Sequence, residues 1–145
     1  MSYDPNNINI TTRKIDVYRL IPEICFQNDR STWKDTQKSR LIESMLIRIP
    51  IQSFYVNGAI RDNKDLWTII DGQKRLLAIK EYCFDRTFGL QGLEYLTDLE
   101  GKSFDEIERR YQRRLLETEL TVHSIDTGTP LEVYKSICQR VMGGF

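Results

Sequence analysis

The rest of the chain is organised around one stretch, Trp67-Thr-Ile-Ile-Asp71-Gly-Gln-Lys-Arg75-Leu-Leu-Ala-Ile79. Its first residues are apolar and β-branched, as in a buried strand, and its later apolar residues recur with helical spacing. The spacing predicts a strand, a corner at Asp71 and Gly72, and a helix over residues 72–84. The first N–H groups of a helix have no intrahelical partner, and the helix dipole adds positive charge there. The corner is therefore a natural site for an anion, most often a phosphate.

Three residues at this corner have the chemistry for such a ligand. Gly72 lets a ligand approach the backbone closely, Lys74 adds charge in the first helical turn, and Arg75 can bind the same anion with its forked guanidinium. A plainer interpretation is also open. Asp-Gly is a common turn pair, Asp71 can cap the helix, and both basic side chains can be solvated. The residues alone favour this plainer interpretation.

The composition indicates one globular domain. The chain has 145 residues, 40% of them apolar, with 21 basic and 21 acidic side chains. This length suits a single domain, which we place at residues 13–145 after a flexible N-terminal arm over residues 1–12. No run of residues approaches membrane-spanning length, and the N-terminus does not have the pattern of a secretory signal, so we expect a cytoplasmic protein and no membrane partner. Zero net charge argues against nucleic-acid binding by bulk electrostatics, although a local basic patch remains open.

The cysteine and histidine content excludes several kinds of site. Cys25, Cys83 and Cys138 are far apart and odd in number, so they form neither a disulfide framework nor a CxxC metal pair. His123 is the only histidine, and it lies in a strand-like run. The chain alone therefore cannot form a histidine-dependent metal site or an HNH-type nuclease centre.

Periodicity predicts alternating strands and helices along the chain. We expect strands over residues 14–20, 51–56, 66–70 and 119–125, and helices over residues 34–48 and 72–84 and from residues 103 and 130 onward. Residues 21–33 read as a long loop, and Asn57-Gly58 as the start of a polar turn. The second and third strands are expected to form a hairpin. The fold class is therefore α+β, a small mixed sheet flanked by helices.

A cluster of arginines follows the helix-starting pattern Ser103-Phe-Asp-Glu106. Arg109, Arg110, Arg113 and Arg114 lie on the face opposite the apolar residues, where they could contact a phosphate backbone. Asp105 and Glu106 lie four residues before the first two arginines and can pair with them. The pattern favours a solvated helix face over a nucleic-acid contact, and both stay open.

Several motifs together resemble those of the N-terminal domain family of GmrSD-type, modification-dependent restriction enzymes. The motifs are Phe26-Gln-Asn-Asp-Arg-Ser-Thr-Trp33, Lys38-Ser-Arg-Leu-Ile-Glu-Ser-Met-Leu-Ile-Arg-Ile-Pro-Ile51, the corner Ile69-Ile-Asp-Gly-Gln-Lys-Arg-Leu76, and Cys138-Gln-Arg-Val-Met-Gly-Gly144. The corner corresponds to the family's DGQQR motif. The resemblance spans nearly the whole chain and implies a ParB/sulfiredoxin-like fold.

The resemblance also implies a function. In this family the corner is implicated in binding, and in some members hydrolysing, a nucleoside triphosphate that controls DNA cleavage by a separate nuclease domain or subunit. The implied catalytic residues are Asp71 and Arg75, with Asp71 also positioning water or Mg²⁺. The implied nucleotide contacts are Gly72, Gln73, Lys74, Arg75, Gln27, Arg40, Glu43, Ser44 and Arg140. We therefore expect a nucleotide-binding, possible NTPase domain of a restriction or anti-phage defence system.

Departures from the family pattern support a second hypothesis. Asn28 and Lys74 replace an arginine and a glutamine, and residues 140–144 differ from the family's late motif. A truncated relative that lost turnover would be a non-catalytic DNA-binding or protein-interaction module. An exposed core face left by a missing C-terminal region would favour a homo-oligomer. Thiol repair like that of sulfiredoxin ranks third, because no cysteine lies between Asp71 and Arg75.

Overall fold

A computed structural model of the chain describes residues 2–26, 32–61, 66–126 and 128–143. Five strands and five helices lie in these ranges. The strands are β1 (Ile10–Asp16), β2 (Ile24–Cys25), β3 (Phe54–Arg61), β4 (Trp67–Asp71) and β5 (Glu119–Ile125). The helices are α1 (Val17–Leu20), α2 (Asp35–Leu46), α3 (Gln73–Lys80), α4 (Arg109–Glu117) and α5 (Leu131–Gly143). A π-helical turn, Glu81–Asp85, continues α3.

The strands form one mixed sheet in the order β1-β5-β3-β4-β2. β1 is antiparallel to β5 and β3 is antiparallel to β4, whereas β5 is parallel to β3 and β2 is parallel to β4. This mixed sheet with its helices confirms the predicted α+β class. The antiparallel pairing of β3 with β4 also confirms the predicted hairpin.

Strand β3 continues past the point where the sequence predicts a turn. Asn57 pairs with Thr68 on one side and with Ile125 on the other, so it lies inside the sheet. Gly58 follows in the strand, and a Cβ atom there would lie 2.8 Å from Asp126 Oδ1. The glycine therefore serves a close approach between neighbouring chain segments rather than a tight turn.

The first strand is displaced toward the N-terminus from its predicted range of residues 14–20. β1 includes Ile10–Thr12 of the expected flexible arm, because this segment pairs with β5. It ends at Asp16, whose side chain accepts a hydrogen bond from Arg19 N at 2.8 Å and caps α1. The alternation of apolar and polar residues that predicted a strand over residues 14–20 therefore covers the end of a strand and the start of a helix. Residues 17–20 form one short helical turn that buries Val17 and Leu20.

The helix predicted at residue 103 begins later. Ser103 and Glu106 form the expected reciprocal capping contacts, but these close only the 3₁₀ turn Phe104–Glu106. Ile107 then adopts an extended conformation and is buried, and α4 starts at Arg109. The capping pattern therefore located the start of a helical turn correctly. The buried, extended Ile107 separates this turn from α4, so one predicted helix is two elements.

Alternate residues of β3 and β5 supply the sheet side of the core: Phe54, Val56, Leu120 and Val122. The helices cover them with fully buried side chains, among them Leu20, Ile42, Leu46, Leu76, Ile79 and Leu115. Burial of Leu76 and Ile79 fixes α3 against this core, so the corner that precedes α3 is held rigidly. Among the described residues, no helix has the length and apolar character needed to cross a membrane.

Candidate functional site

The predicted strand-to-helix corner is present. β4 ends at Asp71, Gly72 turns the chain with a φ angle of 107°, and α3 begins at Gln73. Leu76 N donates to Gly72 O at 3.0 Å, which closes the first helical turn. The N-cap residue of α3 is Gly72, which has no side chain to cap the helix, so Asp71 is not the N-cap residue that the sequence suggested. The start of α3 therefore has the polarity that favours an anion.

Phe54 explains why the corner contains glycine. A Cβ atom at Gly72 would lie 2.3 Å from Phe54 Cδ1, and the φ angle of 107° is strained for any other residue. Phe54 is fully buried in the core. The glycine is therefore needed for packing, independently of the ligand approach that the sequence suggested.

Arg75 ties the corner to the chain before β3. Its guanidinium donates to Gln52 O at 2.5 Å and to Ser53 O at 3.3 Å, and it stacks over the Phe54 ring at 4.2 Å. Its NH2 group lies 3.6 Å from the Asp71 carboxylate. Burial lowers the pKa of Arg75 and the nearby Asp71 opposes this shift, so the side chain stays charged at neutral pH. Arg75 thus places positive charge at the corner while holding two backbone carbonyls.

A cavity of about 510 Å³ opens at the corner. Its lining includes five predicted residues: Asp71, Gly72, Gln73, Lys74 and Arg75. Four further lining residues were not predicted as ligand contacts: Trp33, Gln52, Ile70 and Met142. The volume falls within the range of about 300–1,000 Å³ typical of small-molecule sites. The cavity lining combines two basic side chains with an aromatic, a thioether and an aliphatic side chain.

Glu43 lies in α2 and is held by a different part of the protein. Its carboxylate accepts hydrogen bonds from the backbone N–H groups of Glu94, Tyr95 and Leu96, at 3.1, 2.8 and 2.8 Å. Burial alone would raise the pKa of Glu43, but these three donors and the charge of Arg40 outweigh burial and lower it. Only 4% of the residue is exposed. Glu43 therefore anchors the loop before Leu99 to α2.

Two neighbouring polar residues of α2 have similar roles. Ser39 is fully buried; its hydroxyl donates to Asp35 O and accepts from Gln91 N at 2.9 Å. Lys38 is buried as well, and its ammonium group lies 3.2 Å from Glu81 and over the Phe88 ring. The polar positions of the motif that starts at Lys38 thus join α2 to the segment after α3.

The remaining predicted nucleotide contacts lie apart from the corner cavity or outside the described residues. Ser44 donates to Arg40 O at 2.8 Å within α2, and neither residue is among those lining the cavity. Arg140 lines a separate cavity with Tyr3 and Glu132. Gln27, and with it Asn28, lies outside the described residues. The structure therefore brings together the corner residues of the predicted site and separates them from those of α2 and α5.

The arginine cluster lines a second cleft, of about 530 Å³, between α4 and the segment after α2. Arg110, Arg113 and Arg114 line it, and Arg109 does not. Arg48 joins them from the other side, although its position in sequence gave no sign of this. We refer to the surface of Arg48, Arg110, Arg113 and Arg114 as the arginine cleft.

The sulfur and metal chemistry of the described residues is limited. Cys25, Cys83 and Cys138 are free thiols. Burial raises the pKa of Cys83 to about 12, despite the opposing charge of Arg86, so this thiol is a poor nucleophile. No group of three or more metal-ligating side chains occurs in the described part of the chain. A cation at the corner would therefore need ligands from a bound molecule besides Asp71.

The mixed sheet, its helices and the corner cavity define the class of this protein: a small α+β domain with a ligand-sized cavity where a strand turns into a helix. The family described as GmrSD restriction endonuclease, N-terminal domain, has a model that matches residues 9–136. The chain belongs to this family, which confirms the resemblance found in its motifs. No curated protein and no solved structure matches the chain.

Proposed function

We propose that this domain binds a nucleoside triphosphate at the corner cavity and acts as the nucleotide-dependent part of a restriction or anti-phage defence system. The observation that carries the proposal is the convergence of Asp71, Gly72, Gln73, Lys74 and Arg75 on one cavity of about 510 Å³. Membership in a restriction-enzyme domain family supports the defence role and makes a separate nuclease domain or subunit a natural partner.

The phosphates would lie at the start of α3. The N-cap residue of this helix, Gly72, has no side chain, and the helix dipole favours negative charge at this end. Lys74 is exposed on the same turn and lines the cavity, so it can follow the phosphates as a mobile point charge. Arg75 is 17% exposed and fixed by two carbonyls, so it supplies positive charge without having to be ordered on binding.

The base would lie at the apolar part of the cavity. Trp33 offers an aromatic face, and stacking of a base on an aromatic side chain contributes roughly 1–3 kcal/mol. Ile70 and Met142 add apolar surface, while the amides of Gln52 and Gln73 can both donate and accept hydrogen bonds. Such amides fit every base, and the lining therefore favours a nucleotide without strong preference for one base.

Asp71 would hold a magnesium ion together with the phosphates. Its side chain is 39% exposed and lines the cavity, and magnesium commonly uses one or two carboxylates plus substrate phosphates. The ion would neutralise charge on the phosphates. Asp71 can also accept a hydrogen bond from a water molecule, and Arg75 at 3.6 Å keeps this carboxylate oriented. Hydrolysis, where it occurs, would depend on this positioning and on charge stabilisation.

Isothermal titration calorimetry with ATP, GTP, CTP and UTP in the presence of Mg²⁺ tests the proposal. Lys74→Gln should weaken binding by roughly 3- to 10-fold, because one exposed charge-assisted contact is lost while the fold is unchanged. Lys14→Gln is the matched control: Lys14 is exposed on β1, three strands away from β4. Absence of heat with all four nucleotides, or equal affinities for the two variants, would refute the proposed site.

A further inference from the structure

We infer that the arginine cleft binds the phosphodiester backbone of DNA. The inference goes beyond the proposed nucleotide site, since it concerns a different surface and a different ligand. It rests on four arginines from two separate chain segments that line one cleft, and on the charge of the polymer that a restriction-enzyme domain must meet.

One wall of the cleft is a helix face. Arg110, Arg113 and Arg114 are three and four residues apart on α4, so their side chains project from one side over a length of about 6 Å. Arg114 also donates to Leu46 O at 3.0 Å, which fixes α4 against the C-terminal end of α2. This bond fixes α4, from which all three arginines line the cleft.

The opposite wall presents Arg48 at a cost in backbone energy. Arg48 has a φ angle of 66°, the left-handed conformation in which helices usually place glycine after their last turn. This conformation is unfavourable for a residue other than glycine. The conformation is held because Arg48 N donates to Met45 O at 3.1 Å and Ile49 N donates to Ser44 O at 2.8 Å. It turns an arginine toward the three on α4.

Arg110 and Arg113 have exposed ion-pair partners that a ligand can replace. Arg113 lies 3.6 Å from Glu117, with both side chains about 70% exposed (70% and 68%). Arg110 pairs with Glu108 at 2.8 Å, and these side chains are 70% and 65% exposed. Its guanidinium also donates to the Tyr111 hydroxyl at 3.0 Å and stacks over the Tyr111 ring, so Tyr111 orients Arg110 without neutralising its charge. Such exposed ion pairs contribute little to stability, so a phosphate that accepts two parallel N–H bonds can replace them.

The ligand that fits best is a polyanion. Four arginines face two glutamates in the lining, Glu117 and Glu119, so the cleft is basic even though the chain has zero net charge. Among the described residues no aromatic side chain lines the cleft, which favours contact with a sugar-phosphate backbone over base stacking. Binding would be independent of sequence and sensitive to salt.

Fluorescence anisotropy of a labelled 20-base-pair DNA duplex, without nucleotide, tests the inference. With three to four phosphate contacts, affinity should fall roughly 50- to 150-fold between 50 and 200 mM salt. The double variant Arg48→Gln/Arg113→Gln should bind at least 10-fold more weakly at 50 mM salt, with a salt slope smaller by about two. Both substitutions leave Arg114 and its bond to Leu46 intact. Thermal unfolding of the double variant checks that the fold is unchanged.

The matched control is Arg13→Gln/Arg109→Gln, which removes the same charge from exposed positions outside the lining. It should stay within 2-fold of the unmodified chain. Equal losses in both double variants would show that binding is spread over the surface and would overturn the inference. Lack of DNA binding at 50 mM salt would overturn it as well. Displacement of DNA by a decaglutamate peptide at equal charge concentration would assign the cleft to an acidic protein instead.

Discussion

Replacement of Glu43 by glutamine should destabilise the fold without changing the shape of the side chain. One carboxylate oxygen accepts from Glu94 N, and the other accepts from Tyr95 N and Leu96 N. The glutamine carbonyl can keep the two bonds at the second oxygen, but these lose the charged acceptor, worth about 1 kcal/mol each. Its NH₂ group then faces the N–H of Glu94, and a buried donor without an acceptor costs about 1–3 kcal/mol.

The total loss should be about 3–5 kcal/mol, which corresponds to a fall in Tm of roughly 6–20 °C for a domain of this size. Urea denaturation at pH 7 measures the loss directly. Glu94→Gln is the matched control, because Glu94 is exposed on the same loop and offers only its backbone to Glu43. That control should change the free energy of unfolding by less than about 0.5 kcal/mol.

The pH dependence gives a second test of the same contact. The pKa of Glu43 is lowered in the folded state, so the carboxylate stabilises the fold fully above its unfolded pKa of about 4.3. This stabilisation is lost as the pH falls through the lowered, folded pKa. The difference in stability between the unmodified chain and Glu43→Gln should therefore shrink in that acidic range. A difference that stays constant with pH, or a glutamine variant as stable as the Glu94→Gln control, would refute the anchoring role.

Three further changes test other parts of the structure. Gly72→Ala should lower the free energy of unfolding, measured by urea denaturation, by at least about 2 kcal/mol, because the alanine methyl group would meet Phe54 and the φ angle is unsuited to alanine. An unchanged free energy of unfolding would contradict the corner geometry. Arg75→Lys should lower the free energy of unfolding by about 1–2 kcal/mol, because one ammonium group cannot reproduce the hydrogen bonds to Gln52 O and Ser53 O. Unchanged stability would show that these two hydrogen bonds do not hold the corner against the residues before β3. Cys83 should stay unmodified by maleimide at pH 7 until the chain is unfolded, as mass mapping would show, and rapid native labelling would contradict its burial.

The sequence predicted the long, strongly patterned elements well. β5 was predicted over residues 119–125 and has those bounds. The strand, corner and helix around Gly72 lie within a residue or two of prediction when the π-helical turn Glu81–Asp85 is counted with α3, which itself ends at Lys80. These segments have a single period and clear ends. The prediction was poorer where tertiary contacts decide the structure: Asn57-Gly58 has the composition of a turn, yet two neighbouring strands keep it in β3.

The candidate site shows the same division. Residues 71–75 are contiguous, so local pattern was enough to group them at one cavity. Trp33 and Met142 come from distant parts of the chain, and only the folded arrangement brings them to the same place. Glu43 has the chemistry of a ligand contact, but its three backbone donors lie about fifty residues away in sequence. Periodicity cannot reveal such a partner.

The measurement that bears most directly on the proposed function is a crystal structure of the chain grown with a non-hydrolysable nucleoside triphosphate and Mg²⁺. The account predicts phosphate oxygens about 2.7–3.2 Å from backbone N–H groups in the first turn of α3, with the Lys74 ammonium group beside them and the base on Trp33. A triphosphate bound at another surface, or a corner cavity without ligand at saturating nucleotide, would contradict it.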